Sequence, residues 1–281
     1  MHGSVNSIAE RAIRLVDFSR LVLDRFIARR GPQSASALAY TTLLSIVPLV
    51  GVMFSLFGSL PVFEDIRSIL EEFVFANFVP EFGRVVQSYL IEFSLNAAQM
   101  THTGIIALVV VALLMMWGIE SAMNQAWDVT ERRNPVLRFL IYLIVLTLGP
   151  VLLGIGLYST SYLLALPVVQ SVDSSLLVKA RLLTVMPFLT TTLAFTLLYN
   201  LVPNCRVNRH HALTGGVFAA VCFEMAKYSF GLYVKAVPSY EIIYGALAVI
   251  PMFLVWIYVS WVIVLLGAQV ACSLSDHAWQ I

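Results

Sequence analysis

Read for the spacing of apolar and polar positions, the chain divides into a charged amphipathic start and six long apolar runs. Between residues 5 and 30, Leu15, Phe18, Val22 and Phe26 share one helical face, while Arg11, Arg14, Arg20, Arg25, Arg29 and Arg30 stand against Glu10, Asp17 and Asp24. The 1–34 segment therefore reads as a cytoplasmic basic amphipathic helix, suited equally to an anionic leaflet and to packing on the domain that follows. The apolar runs cover 36–60, 104–123, 139–164, 182–202, 212–234 and 242–272. Each reaches the length of about 20 residues that a helix needs to cross a bilayer core. The expected fold is all-α: a polytopic membrane protein with six transmembrane helices in one domain, 35–281. Its one large extramembrane piece is 61–103, which divides at Pro80. Ile66, Leu70, Phe73 and Phe78 before that proline, and Phe82, Val85, Val86, Tyr89 and Phe93 after it, predict a short helical periplasmic segment.

Composition sharpens this picture. The chain is 59% hydrophobic and 12% charged, against about 25% charged in soluble domains. The distribution of positive charge predicts the orientation. The segments on the N-terminal side of the membrane (1–35, 124–138, 203–211 and the C-terminus) carry eleven lysines and arginines, and the connections on the other side carry five. Both termini are expected in the cytoplasm. No cleavable leader is read in the first 34 residues, which lack an apolar core, so the N-terminus is expected to stay on the mature protein. Cys205, Cys222 and Cys272 are odd in number and show no CxxC spacing, which indicates neither a disulfide framework nor a zinc site.

The candidate chemistry lies in charges placed inside apolar runs, where a charged side chain costs roughly 2.5–3.5 kcal/mol at mid-bilayer. The 212–234 run reads as the stretch that organises the chain. There Gly216, Ala220, Glu224, Lys227 and Gly231 share one helical stripe, so small residues admit a neighbouring helix and the two charges fall in the seam. An ion pair that fixes helix packing and a polar floor of a substrate or proton path fit this pattern equally. Glu120, near the cytoplasmic end of the second run and followed by Asn124, Gln125, Trp127 and Asp128, either reaches the interface or joins such a path. With Gln269 and Tyr244, these residues make the candidate substrate-binding set Glu224, Lys227, Glu120, Gln269 and Tyr244. Pro48, Pro150, Pro187 and Pro251 lie in four of the runs and predict bent helices around a polar interior. Thr147, Pro150, Gly154, Tyr158 and Ser161 share a face that suits a small-residue packing seam. Trp256, Tyr258 and Trp261 suit interfacial or interhelical anchors.

Other chemistries lack their residues. There is no GxxxxGK[ST] loop for ATP. His2, His102, His210, His211 and His277 show no metal-ligand spacing, so neither a metal nor another cofactor is expected. His210 and His211, beside Arg206 and Arg209, suit a phosphate or lipid-headgroup contact better.

The segments ALAYTTLLSIVPL (37–49), FVFANFVP (73–80), LTLGPVLLG (146–154), FEMAKYSFGLYV (223–234) and PSYEIIYGALAVIPMFLVWIYVSWVIVLLGAQ (238–269) resemble the YihY/BrkB family of bacterial inner-membrane proteins. The resemblance spans nearly the whole chain. It implies a six-helix protein of the inner membrane, in agreement with the count of apolar runs. The family has no settled activity; an older label called members ribonuclease BN. Gln269 stands where the family often carries Glu, which weakens any mechanism needing a carboxylate there. The leading expectation is a transporter or lipid-translocating protein with membrane lipids and a small molecule or lipid as partners. A non-catalytic envelope assembly factor is the alternative. An enzyme is not expected: a ribonuclease conflicts with the missing acid/base and metal constellation, and nucleic acid is not an expected partner.

Overall fold

The structure is a computed structural model and describes residues 2–57, 102–131, 133–148, 176–236 and 249–275. The described residues form seven α-helices and no strand: α1 (His2–Ala28), α2 (Gly31–Phe57), α3 (His102–Ala126), α4 (Pro135–Leu148), α5 (Leu176–Leu201), α6 (Arg209–Ala236) and α7 (Val249–Ser275). Helices α2, α3, α5, α6 and α7 fall on five of the six apolar runs, and α4 on the beginning of the third. The rest of the third run, the 61–103 segment up to residue 101 and the start of the sixth run lie outside the described residues. Pro187 is inside α5 as expected. Pro251, by contrast, sits in the first turn of α7, where a missing N–H breaks no helical hydrogen bond.

The chain breaks between α1 and α2 because Arg30 adopts a left-handed conformation with φ 53°, and the ring of Phe26 folds over Gly31. Any side chain at residue 31 would collide with that ring. Of the two roles open to the amphipathic start, the described residues show packing on the domain: α1 lies against α7 and α2, with Val22 and Phe26 buried. A second apolar row on α1, Ile13, Val16, Leu23 and Ile27, remains exposed.

The hub of the bundle is α7, not the 212–234 run. Helix α7 packs on α1, α2, α3, α5 and α6, whereas α6 packs on α5 and α7. The reason is in the residues: a helix apolar on most of its faces can be buried against several neighbours, and α7 buries Trp256, Ile257, Ile263, Val264, Leu265, Ala268 and Ala271, while Leu254 and Val255 near its start stay exposed. Backbone approach is closest where α6 crosses it. A Cβ added at Gly215 would stand 2.6 Å from the Gly267 carbonyl oxygen and 2.8 Å from Ala271 Cβ. Polar ties complete the contacts. Tyr199 of α5 donates its hydroxyl to the Val264 carbonyl at 2.8 Å, and Trp261 Nε1 donates to Thr42 Oγ1 of α2 at 2.9 Å. Trp256 is buried against Phe223 and Phe230, with ring centroids at 5.7 and 4.9 Å. Both tryptophans are thus interhelical anchors.

Much of the exterior of the bundle is apolar. Val109, Val110 and Leu114 on α3, Leu140, Leu143 and Ile144 on α4, Leu189 and Leu193 on α5, and Val217, Phe218 and Val221 on α6 are all exposed. Apolar surface recurring on so many helices exceeds what a water-soluble monomer carries. Among the described residues, α3 and α7 are long and apolar enough by themselves to cross a membrane.

Candidate functional site

The most developed polar site forms where α3 ends and α4 begins. Helix α3 stops in a left-handed residue, Asp128 with φ 57°. The amides of Asp128 and Val129 then donate back to the carbonyls of Gln125 and Asn124, the hydrogen-bond pattern of a Schellman end. Asp is among the few side chains that accept this conformation readily. Helix α4 starts in a matching way: Asn134 caps it, its Oδ1 accepting from the Val136 amide at 2.9 Å, and Pro135 occupies the first helical position. One turn into α4 stand Arg138 and Tyr142, spaced i, i+4 and so on one face.

That face meets Glu120. Its side chain is 2% exposed, its Oε2 accepts from the Tyr142 hydroxyl, and Arg138 Nε stands 3.0 Å from the same oxygen. Arg138 forms an ion pair there, but its N–H is not aimed to make a hydrogen bond, and Glu120 Oε1 has no hydrogen-bond partner. Glu120 and Arg138 both line an open cleft of about 550 Å³, together with Arg29, Trp117, Ser121, Asn124 and residues of the 128–131 turn. The surrounding loops are tied firmly. Arg133 spreads over the C-terminal end of α5, donating to Asn204 Oδ1 at 3.1 Å and to the carbonyls of Val202 at 3.3 Å and Pro203 at 2.6 Å. Val202 and Pro203 directly follow α5, whose last carbonyl, that of Leu201, lies 3.5 Å from Arg133 Nη1, and a cation at a helix C-terminus also complements the helix dipole. Asn204 in turn donates its amide to Asn124 Oδ1 at 2.7 Å. Arg29 donates to the Ala126 carbonyl of α3, and Ser34 Oγ donates to Gln125 Oε1 at 2.9 Å.

The residues singled out from the sequence separate into different places. Glu120 is the one at the cleft, where its side chain is buried. Glu224 and Lys227 pair with each other on α6 at 2.7 Å, with side chains 39% and 18% exposed, and Lys227 Nζ lies 5.6 Å from the centre of the Phe223 ring. Their stripe divides: Ala220 is fully buried and Gly216 lies hard against Thr196 of α5, yet nothing stands within 4 Å of a Cβ at Gly231. Gln269 is buried on α7, its Nε2 3.4 Å from Ser273 Oγ. It lines a separate narrow gap with Phe26, Gly31 and Ser34, and Arg29 borders both that gap and the cleft. Tyr244 lies outside the described residues, as do Pro150, Gly154, Tyr158 and Ser161 of the third-run face. Among the described residues no group of His, Cys, Asp and Glu is arranged to hold a metal ion.

Arg138 and Tyr142 are the functional candidates that sequence reading missed. The signal was present: an arginine and a tyrosine one turn apart at the head of one apolar run, facing a glutamate at the tail of the run before it.

Comparison with known proteins agrees with the apolar exterior. No solved structure matches the chain. A UPF0761 membrane protein of Pseudomonas aeruginosa is 46% identical over 261 residues, 93% of this chain and 63% of that protein. The counterpart in Azotobacter vinelandii is 46% identical over 273 residues, covering 96% and 66%. That of Photobacterium profundum is 45% identical over 249 residues, covering 88% and 78%. The chain thus spans about 63% of the length of the first of these relatives. The family model described as Virulence factor BrkB matches residues 22–279, and the chain accordingly belongs to the BrkB family of membrane proteins.

Proposed function

We propose that this chain is a six-span inner-membrane protein with both termini in the cytoplasm, and that it translocates a lipid or small solute without acting as an enzyme. The orientation is supported by the bias of arginine and lysine toward the N-terminal side. In that orientation the cleft opens at the cytoplasmic end of the bundle. The observation that carries the reading is Glu120, a buried carboxylate with one oxygen unpartnered at the wall of a cleft. Buried charge at a membrane helix is costly and marks substrate or ion paths by default. Membrane lipids are the natural surroundings of the exposed apolar row on α1, which would lie against the leaflet while its other face grips α7. The Glu224–Lys227 pair, formed within one helix, serves packing in this reading.

The test is reconstitution of the purified protein in liposomes, with flux of fluorescent lipids and of small solutes followed in parallel. Wild type should accelerate movement of at least one class, and Glu120→Gln should reduce that rate by about tenfold, the loss of a charge-assisted contact. Absence of any flux, with Glu120→Gln complementing a deletion strain as well as wild type does, would remove the reading.

A further inference from the structure

In the wall of the cleft two buried polar groups of opposite kind stand unsatisfied side by side. Glu120 Oε1 is an acceptor without a donor and Arg138 Nε–H a donor without a well-placed acceptor, although the two side chains are already an ion pair through Oε2. Buried polar groups are normally satisfied, and exceptions call for a partner. Arg29, the other guanidinium on the wall, is occupied by the Ala126 carbonyl and lies 3.4 Å from Cys272 Sγ. Among the described lining residues, the carboxylates Glu120, Asp128 and Glu131 outnumber the guanidiniums Arg29 and Arg138. A simple anion therefore meets an unfavourable field, and a simple cation leaves the arginine unanswered. A metal cation lacks a ligand group among the described residues. An ammonium does not need one: it donates hydrogen bonds to any array of oxygens, and the side chains of Ser121, Asn124 and Thr130 on the wall carry acceptor oxygens, with the aromatic Trp117 beside them.

We infer that the cleft takes a zwitterionic group, an ammonium and an anionic oxygen a few bonds apart, with the ammonium on the Glu120 carboxylate and the anion on the Arg138 guanidinium. This rests on the reading of the cleft as a substrate site and names the chemistry of that substrate. The volume of about 550 Å³ suits a group of headgroup or amino-acid size. The Arg138 side chain, 30% exposed, is accessible to the anionic end. A zwitterionic phospholipid headgroup and a free molecule such as phosphoethanolamine share this chemistry.

Binding separates the inference from translocation itself. The full chain, purified in detergent, is offered phosphatidylethanolamine, phosphatidylglycerol as the anion alone, and a trimethylammonium lipid as the cation alone. Retention is read by native mass spectrometry, and soluble phosphoethanolamine is tested by thermal shift and by its ability to displace retained lipid. Phosphatidylethanolamine or phosphoethanolamine should bind about tenfold more tightly than either single-charge probe, and Glu120→Gln should abolish that preference. Should Glu120→Gln fold poorly, Ser121→Trp fills the cleft from an exposed position without touching the ion pair, and it should abolish the preference equally. Lipid retention displaced by phosphoethanolamine identifies the headgroup, and phosphoethanolamine binding without lipid retention identifies a soluble ligand. Equal retention of all three lipids with no shift by phosphoethanolamine, or a preference that survives Ser121→Trp, overturns the inference. Zwitterion binding without liposome flux would leave it standing and remove translocation instead; flux without such binding would do the reverse.

Discussion

Glu120 and Glu224 are both carboxylates in apolar helices, but what surrounds them makes their removal different. Glu120→Gln strips Arg138 of its counter-charge and weakens the bond from Tyr142, at a cost of about 1.5–3 kcal/mol. Tyr142→Phe should cost about 1–3 kcal/mol by leaving Oε2 with the misaligned arginine as its remaining partner. Glu224→Gln leaves Lys227 charged in an apolar helix, a penalty of up to about 3 kcal/mol. The distinction appears in the double changes. Glu224→Gln with Lys227→Met should restore both melting temperature in detergent and complementation, since the two charges neutralise each other within one helix. Glu120→Gln with Arg138→Met should restore melting temperature and leave complementation lost; recovery of both would show the cleft pair to be packing alone. Cys205, in the 203–211 connection, gives a pH signature. Burial raises its thiol pKa above the ordinary value, helped by Cys272 and opposed by Arg133. Less thiolate is then present at any given pH, so alkylation of Cys205 in the folded protein should rise at more alkaline pH than in the unfolded chain. A mass-spectrometric pH–rate profile checks this, and coincident curves would contradict it.

At the scale of helices, the strongest joints are those where backbone meets backbone or a side chain meets a helix end. Gly215→Ala forces a methyl against the Gly267 carbonyl and Ala271, and overpacking of this kind costs about 1–3 kcal/mol. Gly231→Ala meets open space in the same helix and should be neutral or stabilising, by up to about 1 kcal/mol through helix propensity. The melting temperature should fall for Gly215→Ala and hold or rise for Gly231→Ala; a Gly215→Ala variant as stable as wild type would contradict the α6–α7 crossing. Arg133→Ala removes the clamp on the end of α5 and frees the carbonyls of Val202 and Pro203. Local protection should fall first at 199–205 and 124–131, which hydrogen exchange resolves. These joints were only partly legible beforehand. Small residues in α6 advertised a close approach, but Gly215 and Gly216 face different helices, a difference of one residue that periodicity does not assign.

For the whole molecule, the prediction is topological. Reporter fusions after residue 95 should report the periplasm, and fusions after residues 131, 208 and 281 the cytoplasm. Signals reversed at most of these sites would invert the arrangement and move the cleft to the outer face. The cleft depends on this scale as well, because its wall is drawn from α1, α3, α4 and the turn between the last two.

The run lengths and the near absence of charge were enough to establish from sequence that the chain is helical and membrane-bound, because an apolar segment in lipid can satisfy its backbone only within itself. They also placed five of the helices, with the largest offset at a start, where the sixth run begins at 242 and α7 at Val249. Sequence could flag Glu120, Glu224, Lys227 and Gln269 as polar residues in apolar helices, since that is a property of each position alone. It could not rank them. Whether a carboxylate is answered by its own helix, as Glu224 is by Lys227, or by another, as Glu120 is by Arg138 and Tyr142, depends on how α3 and α4 turn their faces toward each other. The Asp128 and Asn134 caps and the Arg133 clamp set that rotation in three dimensions. For the same reason the central position of α7 emerged only on packing: how much of an apolar helix is buried is decided by the neighbours it acquires.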